Sequence, residues 1–114
     1  MAHPGNRVVI EQGISADGTY PTDGTSYVGQ GDVLFMFPGN LGSATVELVF
    51  VTEDPQSGTD EQQPANADMT FTGNQAPVLL LIPVNIRYRL VVSGADGSTD
   101  FSVITYNTKK YTTH

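Results

Sequence analysis

The sequence predicts an all-β domain: an antiparallel β-sandwich or jelly roll of about eight short strands with an extended N-terminal arm. Three observations carry this expectation. Strand formers bounded by Gly, Pro, Asn and Asp recur along the chain, the pattern of short strands joined by turns. No window sustains apolar residues at i, i+3, i+4 and i+7 with helix formers between them. The 114 residues suffice for one domain, and a domain of this size buries roughly two-thirds of its unfolded surface, so its core needs neither disulfide nor metal. Residues 1–30 are expected to be the arm and its loops, and residues 31–114 the sandwich.

Arg7 to Gln12 (RVVIEQ) is a short candidate strand. Gly13 to Gly31 is rich in Gly, Ser, Thr and Asp and reads as loops around one short strand at Ser26 to Val28. Two readings stand for this first quarter: an arm that orders on a partner, or an ordinary edge paired with the sandwich. Asp32 to Phe37 (DVLFMF) is apolar on both faces, so something beyond its own core should cover the second face.

In Ser43 to Glu53, Ala44, Val46, Leu48 and Phe50 alternate with Thr45, Glu47, Val49 and Val51. The first set is expected to face inward. Pro38 to Gly42 suits a hairpin between these two strands. Glu53 to Asp68 holds two prolines, one glycine and five carboxylates. It reads as an exposed loop without regular structure. Met69 to Thr72 follows as a short strand with Met69 and Phe71 inward. VLLLI, between Pro77 and Pro83, reads as a buried strand. In NIRYRLVVSGADGSTDFSVITY, Ile86, Tyr88, Leu90 and Val92 share one face and Arg87, Arg89 and Val91 the other, while Phe101 and Val103 face one way and Ser102, Ile104 and Tyr106 the other. Asp96-Gly97 between alternating strands is a hairpin signal.

Composition excludes several function classes. The net charge is −7, twelve acidic residues against five basic, which opposes nucleic-acid binding. The absence of cysteine removes thiolate nucleophiles, thiolate metal sites and disulfides. No apolar run reaches the ~18 residues of a transmembrane helix, so no membrane partner is expected. The opening MAHPGNRVV lacks the basic and apolar regions of a signal peptide.

Little chemistry remains. Histidine occurs only as His3 and His114, at ends that hold an imidazole poorly for a Ser–His–Asp triad. Glu47 sits mid-strand on an outer face, a poor place for one of a carboxylate pair. Asp54, Asp60 and Glu61 lack EF-hand spacing and read as a solvated loop. Gly29-Gln30-Gly31 precedes a strand where a phosphate loop needs a helix. The expectation is no catalytic residue, no metal and no cofactor. Partner-binding candidates are Arg7, Val8, Val9 and Ile10 on the first strand, and Arg87 with Arg89, whose planar forks suit carboxylates; the other reading of these two arginines is that they pair with the neighbouring strand or with nearby acids of the same chain. Exposed tyrosines such as Tyr20 and Tyr27 offer stacking surfaces for a sugar.

GNLGSATVELVF, then a polar excursion, then PVNIRYRLVVSGADGSTDFSVITY resembles a pattern in small bacteriophage virion proteins. The matching positions are Gly42, Ala44, Thr45, Val46 and Leu48, then Tyr88, Arg89, Val91 to Ala95, and Gly97 to Thr99. The resemblance covers residues 31 to 106. It implies a non-enzymatic virion structural protein, a capsid decoration (cement) subunit that binds the major capsid protein or another virion protein. It further implies a homotrimer on the capsid surface, synthesised in the host cytoplasm and deposited on the assembled head. The irregular first thirty residues and the acidic loop depart from the pattern. A tail- or fibre-associated module binding a receptor or carbohydrate is the alternative, and a small carboxylate-dependent hydrolase a third class.

Overall fold

The computed structural model describes residues 7–64, 69–73 and 77–107. Among these residues the chain forms eleven strands and no α-helix. In chain order they are β1 (Arg7–Ile14), β2 (Gly18–Tyr20), β3 (Tyr27–Val28), β4 (Gly31–Met36), β5 (Gly39–Asn40) and β6 (Thr45–Glu53). β7 (Asp60–Pro64), β8 (Thr70–Thr72), β9 (Val78–Ile82), β10 (Arg87–Ser93) and β11 (Asp100–Asn107) complete the set. They make two antiparallel sheets. The β11 sheet runs β1-β11-β4-β9, with β5 also paired to β11. The β10 sheet runs β2-β10-β6-β7, with β3 also on β10 and β8 also on β6. The all-β sandwich expectation therefore holds; the strands beyond the expected eight are the short β2, β5 and β7.

Alternation places the core. Val33, Phe35 and Phe37 from one sheet meet Val46, Leu48, Tyr88, Leu90 and Val92 from the other, and all are buried. Aromatic rings tie the layers. Phe35 meets Tyr88 edge-on at 6.2 Å between centroids, and Phe37 meets Phe71 at 5.1 Å, spacings at which ring quadrupoles attract. Met69 and Phe71 point inward as expected.

Four expectations need correction. Pro38 to Gly42 is not a hairpin turn, because β4 and β6 lie in different sheets. Gly39 and Asn40 pair with Phe101 and Asp100, which carries the chain along the β11 sheet before it crosses. A Cβ on Gly39 would lie 2.4 Å from the Asp100 carbonyl oxygen, so only glycine permits that approach. The Ser93 to Ser98 turn likewise joins two sheets: β10 and β11 do not pair with each other. Asp60–Pro64, within the segment read as irregular, is a strand in register with Val49 to Glu53. Its turn closes through the Gly58 N–H to the Asp54 carbonyl at 2.8 Å, with Gly58 at φ 74°. Finally, VLLLI is half-buried. β9 ends its sheet, and Leu79 and Leu81 are 62% and 61% exposed while Leu80 and Ile82 are buried. An apolar run cannot by itself report whether both of its faces are covered.

For the first quarter, the edge reading describes the pairing. β1 runs along β11 from Arg7↔Tyr106 to Ile14↔Phe101, and β2 and β3 lie end to end along β10.

Three sheet-to-sheet crossovers gather at one end of the sandwich: residues 15–17, 41–44 and 94–99. Asp96 joins two of them. It accepts from the Ser98 N–H at 2.8 Å and hydroxyl at 2.7 Å, and from the Ser43 N–H at 3.1 Å. The buried Thr99 hydroxyl donates to the Leu41 carbonyl at 2.9 Å, and the Ser43 hydroxyl donates to the Gly94 carbonyl at 2.5 Å. Asp17, in the third crossover, accepts from the Ala95 N–H at 2.8 Å. Gly42 (φ 62°) passes so close that a Cβ there would lie 2.6 Å from Asp96 Oδ1.

The donors from Ser98, and then Ser43, hold the Asp96 carboxyl well below its ordinary value of 3.8. The folded state thus takes up that proton less readily than the unfolded chain. The bonds contribute their stability above about pH 4 and lose it as pH falls toward the folded value. Wild type should therefore lose more thermal stability than Asp96→Asn between pH 6 and pH 2.5; parallel melting curves would contradict this. The β9 pattern gives a second expectation. In urea unfolding of dilute protein, Leu80→Ala should cost about 2–5 kcal/mol. Leu79→Ala should cost under about 0.5 kcal/mol. Equal losses would place Leu79 in the core.

Candidate interaction surface

The two sheets present unlike outer faces. On the β10 sheet, Arg87 and Arg89 stand in register with Val51 and Val49. The Arg87 guanidinium grips Asp60 of β7 with both nitrogens, at 2.9 and 3.0 Å, the bidentate fork that suits a carboxylate. This pair holds the Asp60 carboxyl below its ordinary range and raises Arg87. Arg89 donates through Nε to the Thr25 carbonyl at 3.0 Å, and through its terminal nitrogens to the Gly24 carbonyl and Gln62 Oε1. Both arginines are thus engaged inside the chain, pinning β7 and the 24–25 loop. Val49 and Val51 are buried although neither belongs to the central core. Long arginine stems cover apolar surface while their heads stay wet.

The residues read as a first-strand contact divide between two surfaces. Arg7 and Val9 pair with Tyr106 and Ile104 and share their outward face. Val8 and Ile10 line a shallow depression of about 200 Å³ between the sheet edges, beside Tyr27 and Val28. Ile10 packs against the core, whereas Val8 and Val9 are exposed. Glu11 reaches across that gap and accepts a hydrogen bond from the Tyr27 hydroxyl. Burial first, and Glu11 second, push the Tyr27 hydroxyl far up, so it remains a donor across the accessible pH range. Tyr20 is buried and donates to the Ala16 carbonyl at 2.8 Å. The two tyrosines offered for sugar stacking are therefore occupied by the fold.

The outer face of the β11 sheet is apolar. Register aligns Val9, Ile104 and Met36 in one row, then Arg7, Tyr106, Leu34 and Leu79 in the next, and Asp32 with Leu81 beyond, so the charges lie at its margins. At one end of this face Arg7, Met36, Pro38, Pro77, Ile104 and Tyr106 line a depression of about 300 Å³. The sequence had flagged part of this: Leu34 and Met36 are the second face of the strand expected to need cover. Leu79 and Leu81 went unrecognised because their run was assigned to the interior. The outward positions of Ile104 and Tyr106 were legible from alternation, but nothing local indicated that they would neighbour Leu34.

Among the described residues no three His, Cys, Asp or Glu side chains group as metal ligands would. Asp60 is taken by Arg87, and Asp54 accepts from the Gln56 N–H at 2.9 Å. Glu47 lies beside Val91 on the outer face of the β10 sheet. His3 and His114 fall outside the described residues. No helix among the described residues is long and apolar enough to cross a membrane.

No protein-family model matches the chain, and no curated protein or solved structure matches it. The positions that carry the resemblance to phage virion proteins divide between the paired strands β6 and β10 and the crossover end, where Gly42, Ala44, Gly94, Ala95, Gly97, Ser98 and Thr99 lie. They describe how the sandwich is closed, and so bear on scaffold before function.

The cover that Arg89 gives Val49 is testable. Arg89→Ala should lower the thermal midpoint by about 4–8 °C, the shift that ~1 kcal/mol produces in a domain near this size. Arg89→Met, which keeps an apolar stem, should lose less. Equal losses would assign the effect to the hydrogen bonds alone.

Proposed function

We propose that this protein is a non-enzymatic virion structural protein, a capsid decoration subunit that docks on the phage head through the outer face of its β11 sheet. One observation carries the reading: an apolar sheet face bearing Leu34, Met36, Leu79, Leu81, Ile104 and Tyr106, on a domain whose other face is closed by its own arginines. Soluble domains rarely leave such a face without a partner. Removing it from water gains about 25 cal/mol per Å² of apolar area. Repetition over a capsid lattice then turns a weak single contact into a firm one, because each bound neighbour raises the effective concentration of the next. The acidic hairpin at 53–64 lies in the other sheet, and faces solvent in this arrangement. The resemblance in the sequence supports the same class of protein. A receptor- or carbohydrate-binding role on a tail or fibre has weaker support, since Tyr20 and Tyr27 are turned to structural use.

Co-sedimentation with phage heads stripped of decoration tests the proposal. Wild type should pellet with the heads. Met36→Glu together with Ile104→Glu should reduce binding at least tenfold, by charging a surface that must desolvate, while circular dichroism stays unchanged. Arg87→Ala should bind as wild type does. A wild-type protein that stays in the supernatant with every head tested would contradict the reading, as would binding that survives the double glutamate variant.

A further inference from the structure

Edge strands expose unpaired N–H and C=O groups, and folded proteins usually guard them with charges, bulges, prolines or brevity. Three of the four edges here are guarded. β1 carries Arg7 and Glu11 and two shifts of register against β11. The β2 side of the β10 sheet is split between strands of three and two residues. The β7 side is split as well, and β7 begins with Asp60 and Glu61. β9 has none of these devices. Its five residues, VLLLI, hold no charge, no proline and no irregularity in their pairing with β4. Its prolines, Pro77 and Pro83, stand just outside. Among the described residues no strand pairs with its other edge.

We infer that β9 pairs antiparallel with β9 of a second copy of this chain, about a two-fold axis at Leu80. The occupant follows from the strand's own symmetry. Leu79 and Leu81 are exposed to nearly the same degree and flank the buried Leu80. A two-fold at Leu80 sets Leu79 opposite Leu81 of the partner and Leu81 opposite its Leu79, which is the isologous match of a closed dimer. All five residues then pair, every side chain keeps its face, and four leucines close over one another on the outer side. The site also suits a chain of net charge −7, because the paired segments themselves bring no like charges together. The result is one continuous sheet through both copies, with the apolar outer face doubled in width. This is a dimer, a different closed symmetry from the trimer that the resemblance implies. It follows from strand chemistry alone and does not depend on the capsid reading.

The absence of cysteine makes the register directly readable. In the two-fold pairing, opposite Cβ atoms lie about 4.5–5.5 Å apart and diagonal ones about 7–8 Å. A disulfide needs a Cβ separation of about 3.5–4.5 Å, so small breathing brings only the opposite pair within reach. Leu79→Cys mixed with Leu81→Cys should cross-link under mild oxidation, whereas either variant alone should give little cross-linked product. Light scattering on the wild type should approach twice the chain mass of 12.2 kDa as concentration rises. Leu79→Lys with Leu81→Lys should remain at the single-chain mass with an unchanged circular dichroism spectrum. A wild-type monomer at all concentrations, or a trimer, would overturn the inference. So would cross-linking of each variant with itself as readily as with the other.

Discussion

The structure depends on how its two sheets are joined at one end. Three crossovers meet there, and their backbone groups would be left unpaired in a loose loop. Side chains supply the missing partners. Asp96 gathers the Ser98 and Ser43 donors, Thr99 reaches the Leu41 carbonyl from a buried position, and Asp17 takes the Ala95 N–H. Among the described residues no buried side-chain nitrogen or oxygen lacks a partner. With that end fixed, β6 and β10 register against each other, β11 registers against β4, and Phe35 is brought over Tyr88.

Closing the sandwich this way decides which surfaces remain. The outer face of the β10 sheet is claimed from within, because Arg87 and Arg89 spend their donors on β7 and the 24–25 loop. The outer face of the β11 sheet has no such cover among the described residues. Its middle rows, from Val9 to Leu79, are apolar, Asp32 stands beside Leu81 at its margin, and it ends at an unguarded strand. Surface chemistry thus separates one face covered from within the chain from one that is not, and the proposed function rests on the second.

Much of this was legible in the sequence, and the limits are physical. Period-two alternation identified the inward face of β6, sorted β10 and β11 each into two faces, and set Met69 and Phe71 in the core; Ile86, sorted with Tyr88, lies before β10 and is exposed. Alternation cannot say which sheet a strand joins. The same Asp-Gly turn that marks a hairpin also fits the corner at residues 94–99, where Asp96 bonds back along its own turn. Pro38 to Gly42 misled for the same reason. The polarity of Asp60 to Pro64 concealed a strand, because its pairing is a hairpin with the preceding Val49 to Glu53 and its anchor, Arg87, is distant in sequence. VLLLI looked interior because composition reports the preference of a segment for burial and not whether the chain has enough sheet to bury both sides. The first-strand candidates Arg7 and Val9 do reach the apolar face, whereas Arg87 and Arg89 are employed internally.

Native-state hydrogen exchange at the crossover end probes the founding constraint most directly. The amides of Ser43, Ala95, Asp96 and Ser98 lie in exposed connections, and ordinary loop amides exchange through local fraying. If the crossover network holds the sheets together, these amides exchange only through global unfolding, at the free energy of the β6 and β10 amides. Exchange at the rate of a solvent-exposed loop, with β6 and β10 still protected, would show that the sandwich closes without the network.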